Sequence, residues 1–280
     1  MIDLRAKYGR YALVTGASSG IGAEFAAQLA DTGFDLVVVA RRRDRLEALA
    51  DKLQSRTGRH VFVAPADLAA PGAVDDLMRQ TSDLDIGLVV AAAGVMVAGK
   101  FVDNDYFAET ATVQVNVLAL MQLTQRFGAA MARRGRGALI LVASTVGHAA
   151  VPYTANYAAS KAYVSSLGRA LHYELKPAGV DVLTLAPGPT DTEGFHDAEG
   201  IDFTALPMPV MPTESVVRFA LKKLGRRALV IPGVMNRFAD RLGKFVIPSS
   251  WMTALFGRML AKATALAGPT PVAIRGDQAS

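Results

Sequence analysis

Seven short apolar, β-branched runs punctuate the chain, and they limit its fold more than any other feature. They are YALVTG at 11–16, DLVVVA at 35–40, HVFVAPA at 60–66, IGLVVAAAG at 86–94, ALILVAS at 138–144, VDVLTLAPG at 180–188 and RALVIPG at 227–233. The runs are continuous rather than alternating, so each reads as a strand covered on both faces, as in a parallel sheet. Helical patterns fill the gaps near 20–31, 43–56, 72–81, 105–132, 153–176 and 213–224. Strand–helix alternation repeated this often predicts an α/β protein with a doubly wound, seven-stranded parallel sheet. No linker or internal repeat interrupts it. The expected organisation is a single domain over 1–233, two amphipathic helices of that domain over 234–267 broken at Pro248, and a loose tail over 268–280. The connection from Thr190 to Pro212 is too long for a simple turn and is expected to be either a functional lid or disordered.

Composition narrows the function. The chain has 280 residues, 51% of them hydrophobic, and its mean hydropathy is +0.26, which suits a large buried core. There is no cysteine, so disulfides, thiolate nucleophiles and cysteine-ligated metals are excluded and no metal site is expected. That fits a reducing compartment, and a cytoplasmic location is expected. The N-terminus, MIDLRAKYGRYALVTGASSG, has mixed charges and does not read as a signal peptide. No apolar run reaches the ~18 residues of a membrane span. Between Arg218 and Lys262 stand ten Lys and Arg against one Asp, so this stretch carries +9 of a total of +5, and the remainder is net acidic at −4. No nucleic-acid-binding motif accompanies the charge, and nucleic acid is not an expected partner.

A glycine-rich loop, TGASSGIG at 15–22, follows the first strand and opens the first helix. Gly16 permits a tight turn. Gly20 and Gly22 let the helix N-terminus approach a pyrophosphate, whose charge its free N–H groups and dipole favour. Ser18, Ser19 and Ile21 complete the loop. This is the placement of a dinucleotide fingerprint in a Rossmann-type sheet. Such sites take an acidic residue at the end of the second strand when the ribose is unphosphorylated. Here the strand ends Ala40-Arg41-Arg42-Arg43. Arginine pairs bidentately with a 2′-phosphate, so Arg41 and Arg42 point to NADP(H), with NAD(H) as the alternative coenzyme. Arg43 and Arg45 read as the solvated start of a helix. Asp67 and Leu68, after the third strand, suit an adenine amino group and ring face.

The helix YTANYAASKAYVSSL, 153–167, carries Tyr157 and Lys161 four residues apart and hence on one side. They are either a surface pair or a proton donor beside a cation. Together with TGASSGIG, Asn116, Ser144 and PGPTDT at 187–192, the YAASK segment resembles the short-chain dehydrogenase/reductase family over about residues 8–233. A free phenol ionises near about pH 10, and a neighbouring Lys⁺ lowers that value. Tyr157 is then expected to exchange a proton with the substrate oxygen while Ser144 hydrogen-bonds the same atom. The resemblance implies that Lys161 also binds the nicotinamide ribose and that Asn116 belongs to a proton relay through water. Read from VQVNVLALMQL alone, Asn116 is a satisfied core amide or a helix distortion. The resemblance also places Ala93, Gly94, Pro187, Gly188, Thr190 and Thr192 at the coenzyme. Where the family carries Asn-Asn-Ala-Gly, this chain has Ala91-Ala92-Ala93-Gly94, which puts the strand-end hydrogen bonding in question.

The expected reaction is hydride transfer between NADP(H) and a lipophilic carbonyl compound or its secondary alcohol. Val95, Met96, Val146, His148, Tyr153 and Phe195 are the expected substrate wall beside Ser144, with His148 read as a packing residue rather than a catalyst. A catalytically idle nucleotide sensor or scaffold on the same fold is the alternative. Trp251, Met252, Leu255, Phe256, Met259 and Leu260 form one broad apolar stripe. It reads as packing or a homo-oligomer contact first, cover for the cleft second, and contact with an anionic membrane surface third.

Overall fold

The computed structural model describes residues 3–196, 201–203, 209–245 and 248–267. Its centre is a seven-stranded, all-parallel sheet: β1 Tyr11–Thr15, β2 Asp35–Ala40, β3 Val61–Pro65, β4 Ile86–Ala91, β5 Gly137–Val142, β6 Val180–Leu185 and β7 Leu229–Val230, in the order β3-β2-β1-β4-β5-β6-β7. The order reverses between β1 and β4, and a crevice opens there beyond the carboxyl ends of the strands. Burial explains the continuous apolar runs. Leu36 and Val38 belong to one core layer and Val37 and Val39 to the other, all four fully buried. The edge strand β3 departs from this: only Ala64 is buried there and Phe62 is exposed.

Helices cover both sides. They are α1 Leu4–Tyr8, α2 Gly20–Asp31, α3 Arg43–Thr57, α4 Ala73–Gln80, α5 Tyr106–Val113, α6 Leu120–Arg134, α7 Ala155–Leu175, α8 Glu193–His196, α9 Thr213–Lys223, α10 Val234–Phe245 and α11 Ser249–Ala267. The short α1 is not legible from periodicity. Asp3 caps it, and it buries Tyr8, whose hydroxyl donates to Asp181 at 2.9 Å. The expected helix at 105–132 is three pieces, because a π-helical stretch, Gln114–Ala119, separates α5 from α6. The expected helix from 153 starts at Ala155, since Tyr153 sits at φ +65. β7 is shorter than the run 227–233 that marks it: Pro232 lacks an N–H, and Gly233 turns the chain away at φ +84.

The missing family amides after β4 have a local substitute. Buried Thr15 accepts from Ala92 N and Ala93 N, both at 3.1 Å, through its hydroxyl, which lies 3.4 Å from Val90 O. One side chain from β1 thus satisfies the backbone where β4 leaves the sheet. The base of the long 190–212 connection is likewise pinned: Asp191 N donates to Met211 O at 2.9 Å, and Met211 N to Pro189 O at 3.0 Å. The loose tail expected over 268–280 lies outside the described residues.

Candidate active site

The glycine loop turns at Gly16, φ +68, where a Cβ would stand 2.9 Å from the Ala93 backbone. A Cβ on Gly22 would lie 2.2 Å from Gly16 O, so Gly22 lets α2 pack directly on the turn, and it lines the cleft with Gly16 and Gly20. Ser19 at the N-cap makes no side-chain cap hydrogen bond. Among the described residues, the first N–H groups of α2 therefore meet neither an intrahelical nor a side-chain acceptor. That is a cradle for a pyrophosphate, and the residues present fit a dinucleotide.

The cleft continues past Ala40, Arg41, Arg42, Asp67 and Leu68 on one side and Ala93, Gly94, Pro187, Gly188, Thr190 and Thr192 on the other. The arginines part ways. Arg42 turns back to the loop, its Nη2 3.2 Å from Ser18 Oγ and 3.1 Å from Ser19 Oγ. Arg41 lines the rim, exposed. Arg42 also pairs with Glu193, which sequence reasoning did not single out. Hydrogen bonds from Arg42 and Arg45 push the Glu193 carboxyl down to about 2.

At the inner end of the cleft, Ser144 follows β5 and opens a 3₁₀ turn, Thr145–His148, accepting from Val146 N and donating to Pro187 O, each at 3.4 Å. Tyr157 and Lys161 project from α7. Lys161 Nζ lies 5.5 Å from the Tyr157 ring centroid and donates to Val142 O at 3.0 Å. Burial pushes the Tyr157 phenol up to about 12, partly countered by its hydrogen bond with Ser144. Burial also pushes the Lys161 ammonium down to about 8. The phenol is thus raised, where a lowering by Lys161 was expected, because burial is the dominant influence on it. Asn116, fully buried in the π-helical stretch, accepts from Val95 N at 2.9 Å and donates to Val95 O at 2.9 Å and Ser160 Oγ at 3.1 Å. Its side chain fixes the segment after β4 against α7.

These shifts have a signed consequence. Between about 8 and 10.5 the unfolded chain keeps a proton on Lys161 that the folded chain has shed. The unfolded state then binds more protons, and folding stability rises with pH. From 10.0 to about 12 Tyr157 acts oppositely, since the folded phenol keeps a proton that the unfolded one loses. Across the first window, the urea midpoint of the coenzyme-free wild type should climb relative to that of Lys161→Met. Parallel pH profiles for the two proteins would refute the buried, depressed lysine.

Beyond Ser144 and Tyr157 the cleft runs on without a break, and the whole of it, coenzyme groove included, encloses about 990 Å³. Val95, Met96, Val146, His148 and Phe195 line it. Tyr153 does not: it packs behind the wall, in a satellite core with Ala98, Val151 and Ala158. The positive φ at Tyr153 turns the chain just before α7, which separates it from the residues facing the cavity. His148 pairs through Nδ1 with Asp240 of α10 at 2.5 Å, tying the turn after Ser144 to the C-terminal helices. Met252, Phe256, Met259 and Leu260 of α11 roof the cavity. The broad stripe is therefore split, because Trp251 and Leu255 are 72% and 49% exposed. Among the described residues no helix is long and apolar enough to cross a membrane.

Residues 10–200 match the short chain dehydrogenase family model. A 7beta-hydroxysteroid dehydrogenase of Clostridium sardiniense is 32% identical over 236 residues, covering 84% of this chain and 90% of the relative. A very-long-chain 3-oxoacyl-CoA reductase of Podospora anserina is 30% identical over 249 residues, covering 87% and 65%. Among solved structures, a 7beta-hydroxysteroid dehydrogenase superimposes with a TM-score of 0.84 at 28% identity, covering 91% of this chain and 99% of that one. A short-chain dehydrogenase from Sphingobium yanoikuyae in complex with NADPH gives 0.74 at 33% identity, covering 97% and 98%. The chain belongs to the short-chain dehydrogenase/reductase family. It is an oxidoreductase of that family, and the idle alternative finds no support among these relatives.

Proposed function

We propose that this enzyme uses NADP(H) to interconvert a bulky lipophilic ketone, of steroid-like size, and its secondary alcohol. The carrying observation is the placement of Ser144 and Tyr157 where the dinucleotide groove runs into the part of the same cleft that apolar side chains of α11 roof. The coenzyme, when bound, supplies or accepts the hydride. The chain supplies the rest. Tyr157 gives its phenolic proton to the developing alkoxide, or takes it from the alcohol, and Ser144 hydrogen-bonds the same oxygen. Lys161 holds the region of the ribose and of Tyr157 with a buried positive charge, and Asn116 positions the wall behind it. Arg42, with Ser18 and Arg41, receives the 2′-phosphate.

The relatives support the substrate size: two are named for hydroxysteroids, and a further structural neighbour is a bulky-bulky ketone specific alcohol dehydrogenase from Comamonas testosteroni, with a TM-score of 0.71 at 28% identity. The domain division at 233 and a homo-oligomeric, cytoplasmic enzyme complete the reading. Exposed Phe101, Val102, Tyr106 and Phe107 around the start of α5 offer apolar surface for a second copy. The outer face of α11, with Trp251, Leu255, Arg258 and Lys262 exposed, is what a partner or an anionic membrane surface would meet. Loss of absorbance at 340 nm, with steroid ketones and small aliphatic ketones offered alongside NADPH or NADH, tests the proposal. NADPH-dependent turnover of the steroid ketones is expected. Turnover confined to small ketones, or equal kcat/KM with both coenzymes, refutes it.

A further inference from the structure

Arg42 already holds an anion. Its Nη1 lies 2.8 Å from Glu193 Oε1, while Nη2 spans the Ser18 and Ser19 hydroxyls at 3.2 and 3.1 Å. The second carboxylate oxygen of Glu193 accepts from Arg45 Nη1 at 2.5 Å. Two guanidinium groups from the β2–α3 junction thus clamp one carboxylate that comes from the far side of the cleft, 151 residues away in sequence. The clamp is not deeply buried: the side chains of Arg42 and Glu193 are 39% and 34% exposed, so a solvated anion can reach it. The guanidinium fork that suits a carboxylate suits a phosphate equally well.

Glu193 is also the first residue of α8. Two residues on, Phe195 lines the cavity and stacks on Phe203 with ring centroids 5.6 Å apart. One side chain therefore links the phosphate end of the groove to the segment that walls the substrate end.

We propose that Glu193 is a coenzyme-discriminating residue, whose carboxylate competes with the 2′-phosphate of NADP(H) for Arg42, so that NADP(H), but not NAD(H), displaces it and frees the start of α8. This rests on the reading of Arg42 as the 2′-phosphate receptor. An ordinary surface ion pair that merely fastens α8 predicts something different. Its loss would shift the affinities of both coenzymes alike, because a fastening does not distinguish a ribose hydroxyl from a phosphate.

Isothermal titration of the wild type, Glu193→Gln and Glu193→Ala with adenosine 2′,5′-bisphosphate, adenosine 5′-monophosphate, NADPH and NADH separates the two. Glu193→Gln keeps the side chain's size and removes its charge, so the like-charge penalty on an incoming phosphate disappears. Both variants should bind NADPH and the bisphosphate about tenfold more tightly than the wild type, with the monophosphate and NADH unchanged. Proportional changes for all four ligands, or unchanged binding of NADPH and the bisphosphate, overturn the inference. The reading beneath it fails separately. If the wild type binds the bisphosphate no better than the monophosphate and both variants do the same, Arg42 is not the phosphate receptor. If the wild type prefers the bisphosphate and the variants keep its ratio, only the role of Glu193 is lost.

Discussion

Tyr157→Phe should fold, bind NADPH within about threefold of wild type and lose at least about a hundredfold in kcat, the usual scale of a missing general acid. The ring that packs in the cleft is retained and only the hydroxyl is removed. Lys161 Nζ donates its hydrogen bond to Val142 O rather than to the phenol, so the lysine keeps its position in the variant. Ser144→Ala should lose less, because Tyr157 remains to supply the proton and only one of two hydrogen bonds to the reacting oxygen disappears. Single-turnover measurement with saturating NADPH reads the chemical step, and a coenzyme titration reads binding. Wild-type kcat in Tyr157→Phe would move the proton to another group. His148 is then the first to test, since it lines the same cavity. The phenol's high pKa fits donation to a forming alkoxide in the reductive direction. Alcohol oxidation needs the phenolate, so it should gain more from alkaline pH than ketone reduction does.

The sheet was legible because each strand announces itself locally. A run such as Asp35–Ala40, apolar on both faces, has no soluble alternative, and the helices between such runs follow from spacing. Tyr157 and Lys161 were legible for the same reason, since one turn of helix brings them together whatever surrounds it. What sequence reasoning missed were specific pairings between distant parts of the chain. Three arginines follow β2, and nothing local says which one turns back to the loop; Arg42 does so because Ser18 and Ser19 receive it. Glu193 had no signal, as its partners lie 151 and 148 residues earlier. The interruption between α5 and α6 was hidden because a π-helical turn keeps helical composition, and only the polar Asn116 in an apolar segment marked it. The phenol's environment was misjudged by reasoning from the nearest charge alone. Lys161 is near, but burial acts on both groups and shifts them apart.

The C-terminal stripe shows the same boundary, and it yields the second large effect. Met252, Phe256, Met259, Leu260 and Ala263 follow an i, i+4, i+7, i+8, i+11 pattern, which is one helix face. Leu260 and Ala263 are 5% and 1% exposed, in a small core with Ala98, Val151, Ala158 and Ile201. Trp251, Leu255, Arg258 and Lys262 occupy the adjacent face and stay in solvent. Sequence hydrophobicity merged the two faces because aromatic and aliphatic residues stand on both. If the inner face is the cavity roof, Leu260→Asp should raise KM for a bulky ketone by at least about tenfold, since burying an unpaired carboxylate costs several kcal/mol and opens the roof instead. NADPH affinity should stay within about threefold, because the glycine loop and Arg42 lie at the other end of the groove. Trp251→Ala, on the outer face, should leave both constants near wild type. Truncation after Gly233 should go further: it removes the roof and the partner of His148, exposes Val151 and Ala158, and should abolish turnover of bulky ketones or cause aggregation. A full-length Leu260→Asp protein with wild-type KM for a bulky ketone would show that α11 covers the cavity without touching what enters it. A strong effect of Trp251→Ala on NADPH-saturated turnover would instead place the working face of α11 outward, against a second copy of the chain or a lipid surface.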